Sequence, residues 1–337
     1  MISRMEEPRG RKREGQTDAV FVMRHTDRPD KSQHPESSRY PGTTEGYGVD
    51  AIRERALPQI IDAIDTAAPD AIVAIAGASE EIRTKSTSEI VGDLLKEHYR
   101  DSPRVLVVTR SSIDTMRRIG ASQPGSFKIT ELLKDIVAEN PDKKVVIDYP
   151  LFIKELSLRP HFRQSVSAES SGFSEHIAGR ARERFGDTAQ IDVEGTVDRV
   201  ASYQAETTAG AKIFMEMENK EEVEPYGGIL PADAAARQWS AINRLGQFVQ
   251  NAVHTTGAEH RRPILLGLVG HGWNLDALVT SLVNEGKANA EGFRKIGDTA
   301  VAVGEAAIIR MNSGEVPTLI FRGKECTIPP EVIENVA

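Results

Sequence analysis

Ala19-Val20-Phe21-Val22-Met23, stopped abruptly by Arg24-His25, is the stretch whose reading decides the fold. An unbroken apolar run of β-formers, too short for a helix, reads as a strand buried on both faces. The same signature recurs outward along the chain. It appears at Asp70–Ala76 (DAIVAIA, stopped by Gly77), Arg104–Thr109 (RVLVVT), Lys144–Tyr149 (KVVIDY) and Pro263–Val269 (PILLGLV, stopped by Gly270-His271-Gly272). Ala306–Met311 and Thr318–Arg322 are close enough to pair as a hairpin around Asn312-Ser313-Gly314. Between these runs, apolar residues fall at helical spacing. Gly48–Thr66 carries Ile52, Ala56, Ile60, Ile61 and Ile64, and Glu80–His98 carries Ile82, Ile90, Leu94 and Leu95. Phe127–Ala138, Ile191–Tyr203, Ala232–His254 and Asn274–Asn284 are further predicted helices. Strands alternating with helices predict an α/β fold around a mostly parallel central sheet.

The 337 residues suit two domains or one α/β domain with insertions. Residues 101–262 are poorer in strands and richer in polar helices. They read as a large helical insertion in a single domain over 18–325, between a tail at 1–17 and a C-terminal tail at 326–337. Apolar residues make up 39% and charged residues 27%, a globular balance. A net charge of −8 argues against broad binding to a nucleic-acid backbone, which needs a basic face. The lone Cys326 excludes an internal disulfide framework and multi-cysteine metal sites. Met1–Gln16 is charged and lacks the apolar centre of a secretory signal. No window approaches the roughly 18 apolar residues that span a membrane. The expectation is a soluble, cytoplasmic protein with neither nucleic acid nor membrane as partner; the oligomeric state stays open.

Ligands of open α/β sheets gather at the carboxyl ends of strands. Two strands here end in histidine, His25 and His271. Arg24 and Arg28 flank the first, and the turn after Gly77 leads into a helix bearing Arg83. Three guanidiniums and two imidazoles at one sheet edge make an anion site, because each guanidinium fork matches phosphate oxygens. Cations nearby favour the neutral imidazole, which can attack phosphorus and form a phosphohistidine.

At these residues the chain resembles the histidine phosphatase (phosphoglycerate mutase-like) superfamily. Val22-Met23-Arg24-His25-Thr26-Asp27-Arg28 is similar to its opening R-H-G signature, and Gly42-Thr43-Thr44-Glu45-Gly46 to its L-T-x-x-G turn. Gly77–Thr87 (GASEEIRTKST) resembles the S-x-x-x-R-x-x-x-T segment, and Leu268–Gly272 the late strand with the second histidine. The resemblance covers about residues 18–100 and 262–325. It implies a three-layer α/β/α sandwich, with His25 as the phosphorylated nucleophile and Arg24, Arg28, Arg83 and His271 around the phosphate. Thr26 stands where the family has glycine. Gly272 stands where the acid-phosphatase branch has aspartate, which directs the search for a proton donor to the mutase-like branch. Glu155, after the Lys144–Tyr149 strand, is the candidate; Asp27, Glu175 and Glu216 are weaker ones.

The expected activity is metal-independent hydrolysis of a small phosphate monoester. The alternatives are a catalytically weak phosphate-binding or scaffolding protein, or a phosphomutase. No cofactor is expected. His254 and His260 lack the H-E-x-x-H arrangement of a metal site, and Gly267, Gly270 and Gly272 do not spell the dinucleotide fingerprint. Trp239 reads as core, and Trp273 as a candidate border of the pocket. The acidic run Glu216–Glu224 reads as a solvated segment. Specificity is expected from the loop Asp30–Pro41 and the middle of the chain.

Overall fold

Each apolar run singled out above is a strand in the computed structural model, which describes residues 17–26, 47–77, 82–109, 129–149, 171–187, 199–253, 262–311 and 316–336. The strands are β1 (Thr17–Arg24), β2 (Ile72–Gly77), β3 (Val105–Val108), β4 (Lys144–Tyr149), β5 (Ile264–Gly270), β6 (Ala306–Arg310), β7 (Thr318–Phe321) and β8 (Lys324–Thr327). They form one eight-stranded sheet in the order β3-β4-β2-β5-β1-β6-β7-β8. The first five are parallel neighbours, whereas β6, β7 and β8 pair antiparallel. The sheet is therefore mixed, which corrects the expectation of a mostly parallel one. The connections explain it. Arg322 and Gly323, at φ 52° and 69°, form a two-residue turn between β7 and β8, too short for a parallel crossover.

The helices are α1 (Tyr47–Ala51), α2 (Leu57–Thr66), α3 (Ile82–His98), α4 (Ile129–Glu139), α5 (Ser171–Phe185), α6 (Arg199–Met215), α7 (Pro231–Val253), α8 (Gly272–Val283), α9 (Ala290–Lys295) and α10 (Pro330–Val336). A π-helical turn, Ile52–Ala56, joins α1 to α2. Successive strand residues face opposite ways, so one apolar run supplies two cores. Phe21 and Met23 pack with Ile60, Ile64, Val91 and Leu95 of α2 and α3. Val20 and Val22 join the other core, with Phe214, Trp239, Leu245 and Leu278 from α6, α7 and α8. Trp239 is thus core, as expected.

Other expectations change. Of the helix read over 191–203, residues 199–203 belong to α6, which continues to Met215, while residues 191–198 lie outside the described residues; α5 had no sequence signal strong enough to be anticipated. Both helices face a cleft with small residues, so neither shows a clean apolar stripe. Residues 101–262 supply β3 and β4 as well as helices. Residues 326–336, expected as a tail, complete β8 and form α10, because Ile328 and Val332 are apolar and bury in the core. Among the described residues no helix is long and apolar enough to cross a membrane.

Candidate functional site

Strand register brings the two histidines together. Arg24 of β1 lies opposite Gly270 of β5, so His25 and His271 are each the next residue at the same carboxyl edge. The His25 N–H donates to the Gly270 carbonyl at 3.0 Å, which ties the two strand ends. The imidazole centroids are 5.2 Å apart with the rings at 70°, and both side chains are buried. On the other side of β5, Gly77 of β2 lies opposite Val269 and leads toward α3, whose first turn carries Arg83. The Arg83 side chain lies outside the described residues. So do Arg28, Glu155, Asp27, His254, His260 and the loop Asp30–Pro41.

The partner of His25 sets its tautomer. Nδ1 lies 2.6 Å from the Thr26 carbonyl oxygen, which can only accept, so Nδ1 carries the proton. A neutral ring then keeps its lone pair on Nε2. Thr26, the departure from glycine, turns toward α3. Its N–H donates to Thr87 Oγ1 at 2.9 Å, and the two hydroxyls are 3.1 Å apart. The added side chain is thereby accommodated outside the cleft lining.

Arg24 is 2% exposed and held from two sides. Nη1 donates to the Val301 carbonyl at 2.8 Å, while Nη2 reaches Tyr203 Oη at 3.0 Å and Thr207 Oγ1 at 3.3 Å. The guanidinium also lies over the Tyr203 ring, 5.1 Å from its centroid. Glycine at 272 makes this possible, since a Cβ there would stand 3.2 Å from Arg24 Cζ and Nε. Because β6 runs antiparallel to β1, the segment entering β6 meets the carboxyl end of β1 and brings Val301 to Arg24. Val301 also donates its N–H to Asp276 Oδ1 at 2.6 Å, so the backbone of one residue links a buried arginine to a buried carboxyl. Asp276 is fully buried, and desolvation pushes its pKa up to about 7. The Val301 N–H, Arg24 and Arg322 pull it down, while Glu305 adds to the rise. Among the described residues, Arg24 Nε and Asp276 Oδ2 have no hydrogen-bond partner. With both terminal nitrogens engaged by the protein, Arg24 offers an anion mainly its charge.

Arg24, His25, His271 and Gly272 floor a cleft of about 530 Å³. One wall is a single face of α5, at Ser174, Glu175, Ala178, Ala181 and Arg182; the other is a face of α6, including Ser202, Tyr203, Glu206, Ala209 and Gly210. Trp273 borders the cleft, as anticipated. It stacks on Phe214 at 22° with centroids 5.9 Å apart, and Gly210 gives its ring edge room, since a Cβ there would lie 2.8 Å from Trp273 Cζ2. His271 is the extended residue before α8, and its carbonyl accepts from the Leu275 N–H at 3.1 Å. The first-turn N–H groups of α8 lack intrahelical acceptors and favour negative charge at this end.

Of the candidate acids, Glu175 lines the cleft, whereas Glu216 pairs with Arg184 and does not. Glu206 and Asp187, which the sequence reading did not single out, line it too. The signal available for Glu206 is a helix with small or polar residues at positions 202, 203, 206, 209 and 210, where a packed helix would place large apolar ones. Among the described residues no three His, Cys, Asp or Glu side chains are grouped to hold a metal ion. Comparisons with family models and with curated proteins give no match for this chain.

Proposed function

We propose that the chain is a metal-independent phosphomonoester hydrolase acting on a small phosphorylated molecule, on a three-layer, phosphoglycerate mutase-like α/β/α architecture. The observation that carries this reading is the meeting of two buried imidazoles, 5.2 Å apart, beside Arg24 on the floor of one cleft. In the proposed reaction the lone pair of His25 Nε2 attacks phosphorus as the ester P–O bond breaks, giving a phosphohistidine and the free alcohol. Glu155 is proposed to protonate the leaving oxygen. Arg24, Arg28, Arg83, His271 and the amino end of α8 oppose the charge on the phosphoryl oxygens. Water then cleaves the P–N bond, releasing inorganic phosphate and restoring His25.

Purified protein is expected to hydrolyse a generic aryl phosphate in EDTA, and His25→Ala to lose that turnover by several orders of magnitude. Undiminished turnover in the variant would falsify the assignment. One observation favours the reading as a phosphate-binding protein without turnover: both terminal nitrogens of Arg24 are already bonded within the protein. That reading requires phosphate to raise the melting temperature while no phosphate ester is turned over.

A further inference from the structure

The floor and the walls of the cleft carry opposite charge. The floor presents Arg24, the two histidines and the amino end of α8. Among the described residues, the walls present the carboxylates Glu175, Glu206 and Asp187 and the guanidinium of Arg182. Among the described side chains, the other arginines and the lysine of α5 and α6 pair away from the cleft. Arg180 pairs with Glu222, Arg184 with Glu216 and Lys212 with Asp298, all outside the cleft lining. Among the described residues, Glu175 and Glu206 have no ion-pair or hydrogen-bond partner. A second observation lies on the floor of the same cleft: Arg24, nine-tenths buried, has an Nε with no hydrogen-bond partner among the described residues. The same walls carry Ala178, Ala181, Ala209 and Gly210, and Trp273 borders the cleft, so apolar surface accompanies the carboxylates in its lining.

We infer that the substrate is a phosphate monoester bearing an ammonium group a short apolar spacer away, with the phosphate on the floor and the ammonium between Glu175 and Glu206. This rests on the hydrolase reading above and adds the substrate class. A second anionic group in place of the ammonium would meet like charge at both walls, so bisphosphates and carboxylated phosphates are disfavoured.

Three esters of nearly equal length isolate the charge: aminoethyl phosphate, hydroxyethyl phosphate and phosphoglycolate. The full-length protein is expected to rank them in that order by kcat/KM, each step about two- to fivefold, as befits ion pairs to exposed carboxylates. In the double variant Glu175→Gln, Glu206→Gln, with folding checked by thermal melting, the span between the first and last ester should collapse, mainly through KM. Preference for phosphoglycolate, an unchanged ranking in the variant, or an equal loss of kcat on all three esters would each overturn the inference. The last outcome would make these residues proton donors instead. Absence of any aryl phosphate hydrolysis would instead overturn the hydrolase reading. The order of the three esters in raising the melting temperature then tests the charge preference separately, with the same ranking expected and its reversal or loss as the contrary result.

Discussion

Asp276 couples the charge of the floor to pH. Its pKa lies near 7 in the folded chain against an ordinary value of 3.8, and burial is the main cause. A carboxyl raised on folding binds more protons in the native state than in the unfolded one between those two values. Its contribution to stability is therefore full below about pH 4 and declines as pH rises toward 7, at about 1.4 kcal/mol per unit. Asp276→Asn keeps an oxygen for the Val301 N–H but cannot ionise. The variant should gain stability relative to the parent as pH rises from about 4 to about 7 in urea titrations; a pH-independent difference would contradict the assignment. Gly272→Ala is expected to weaken phosphate binding several-fold in calorimetry, because its Cβ must displace the Arg24 guanidinium. The histidines were legible in the sequence because each strand stops at one. The hold on Arg24 was not, since Tyr203, Thr207 and Val301 come from distant segments that only the fold brings together.

β5 is tuned to its neighbour by the absence of a side chain. Gly267 lies opposite Phe21 in the β1–β5 register, and a Cβ at 267 would fall 2.1 Å from Phe21 Cζ. The glycine lets the aromatic ring cover the strand beside it, filling the core under α2 and α3. Gly267→Ala should cost about 1–3 kcal/mol in chemical denaturation, the range for overpacking a filled core. A neutral outcome would mean that Phe21 has room to move. Strands of this kind announce themselves in sequence, because burial on both faces demands unbroken apolar runs. Helices α5 and α6 do not, because the faces they turn to the cleft carry Ala, Ser, Thr and Gly. Their apolar residues, such as Phe173, Ile213 and Phe214, are too few and too irregularly spaced to set a period.

Across the whole molecule, the antiparallel edge does more than end the sheet. By reversing at β6, the chain returns residues 296–305 to the edge where β1 and β5 end. Arg322 then fastens this segment, donating to the carbonyls of Ile296, Thr299 and Ala300 and to Glu305. That reversal was invisible in the strand pattern, which gives each strand's burial but not its direction. The C-terminus belongs to the same construction. Deleting residues 330–337 removes Val332 from the core and is expected to lower the melting temperature by several degrees; an unchanged melt would show α10 to be dispensable. The opening charge balance also takes on a spatial form, with cations on the cleft floor and carboxylates on its walls. The proposed role of His25 is to accept a phosphoryl group, and rapid quenching of the protein with aryl phosphate, followed by mass mapping under mildly alkaline conditions, is its most direct test. An acid-labile phosphoryl group on His25 is expected to form within one turnover and to be absent from His25→Ala; steady turnover with His25 unmodified throughout would contradict that role.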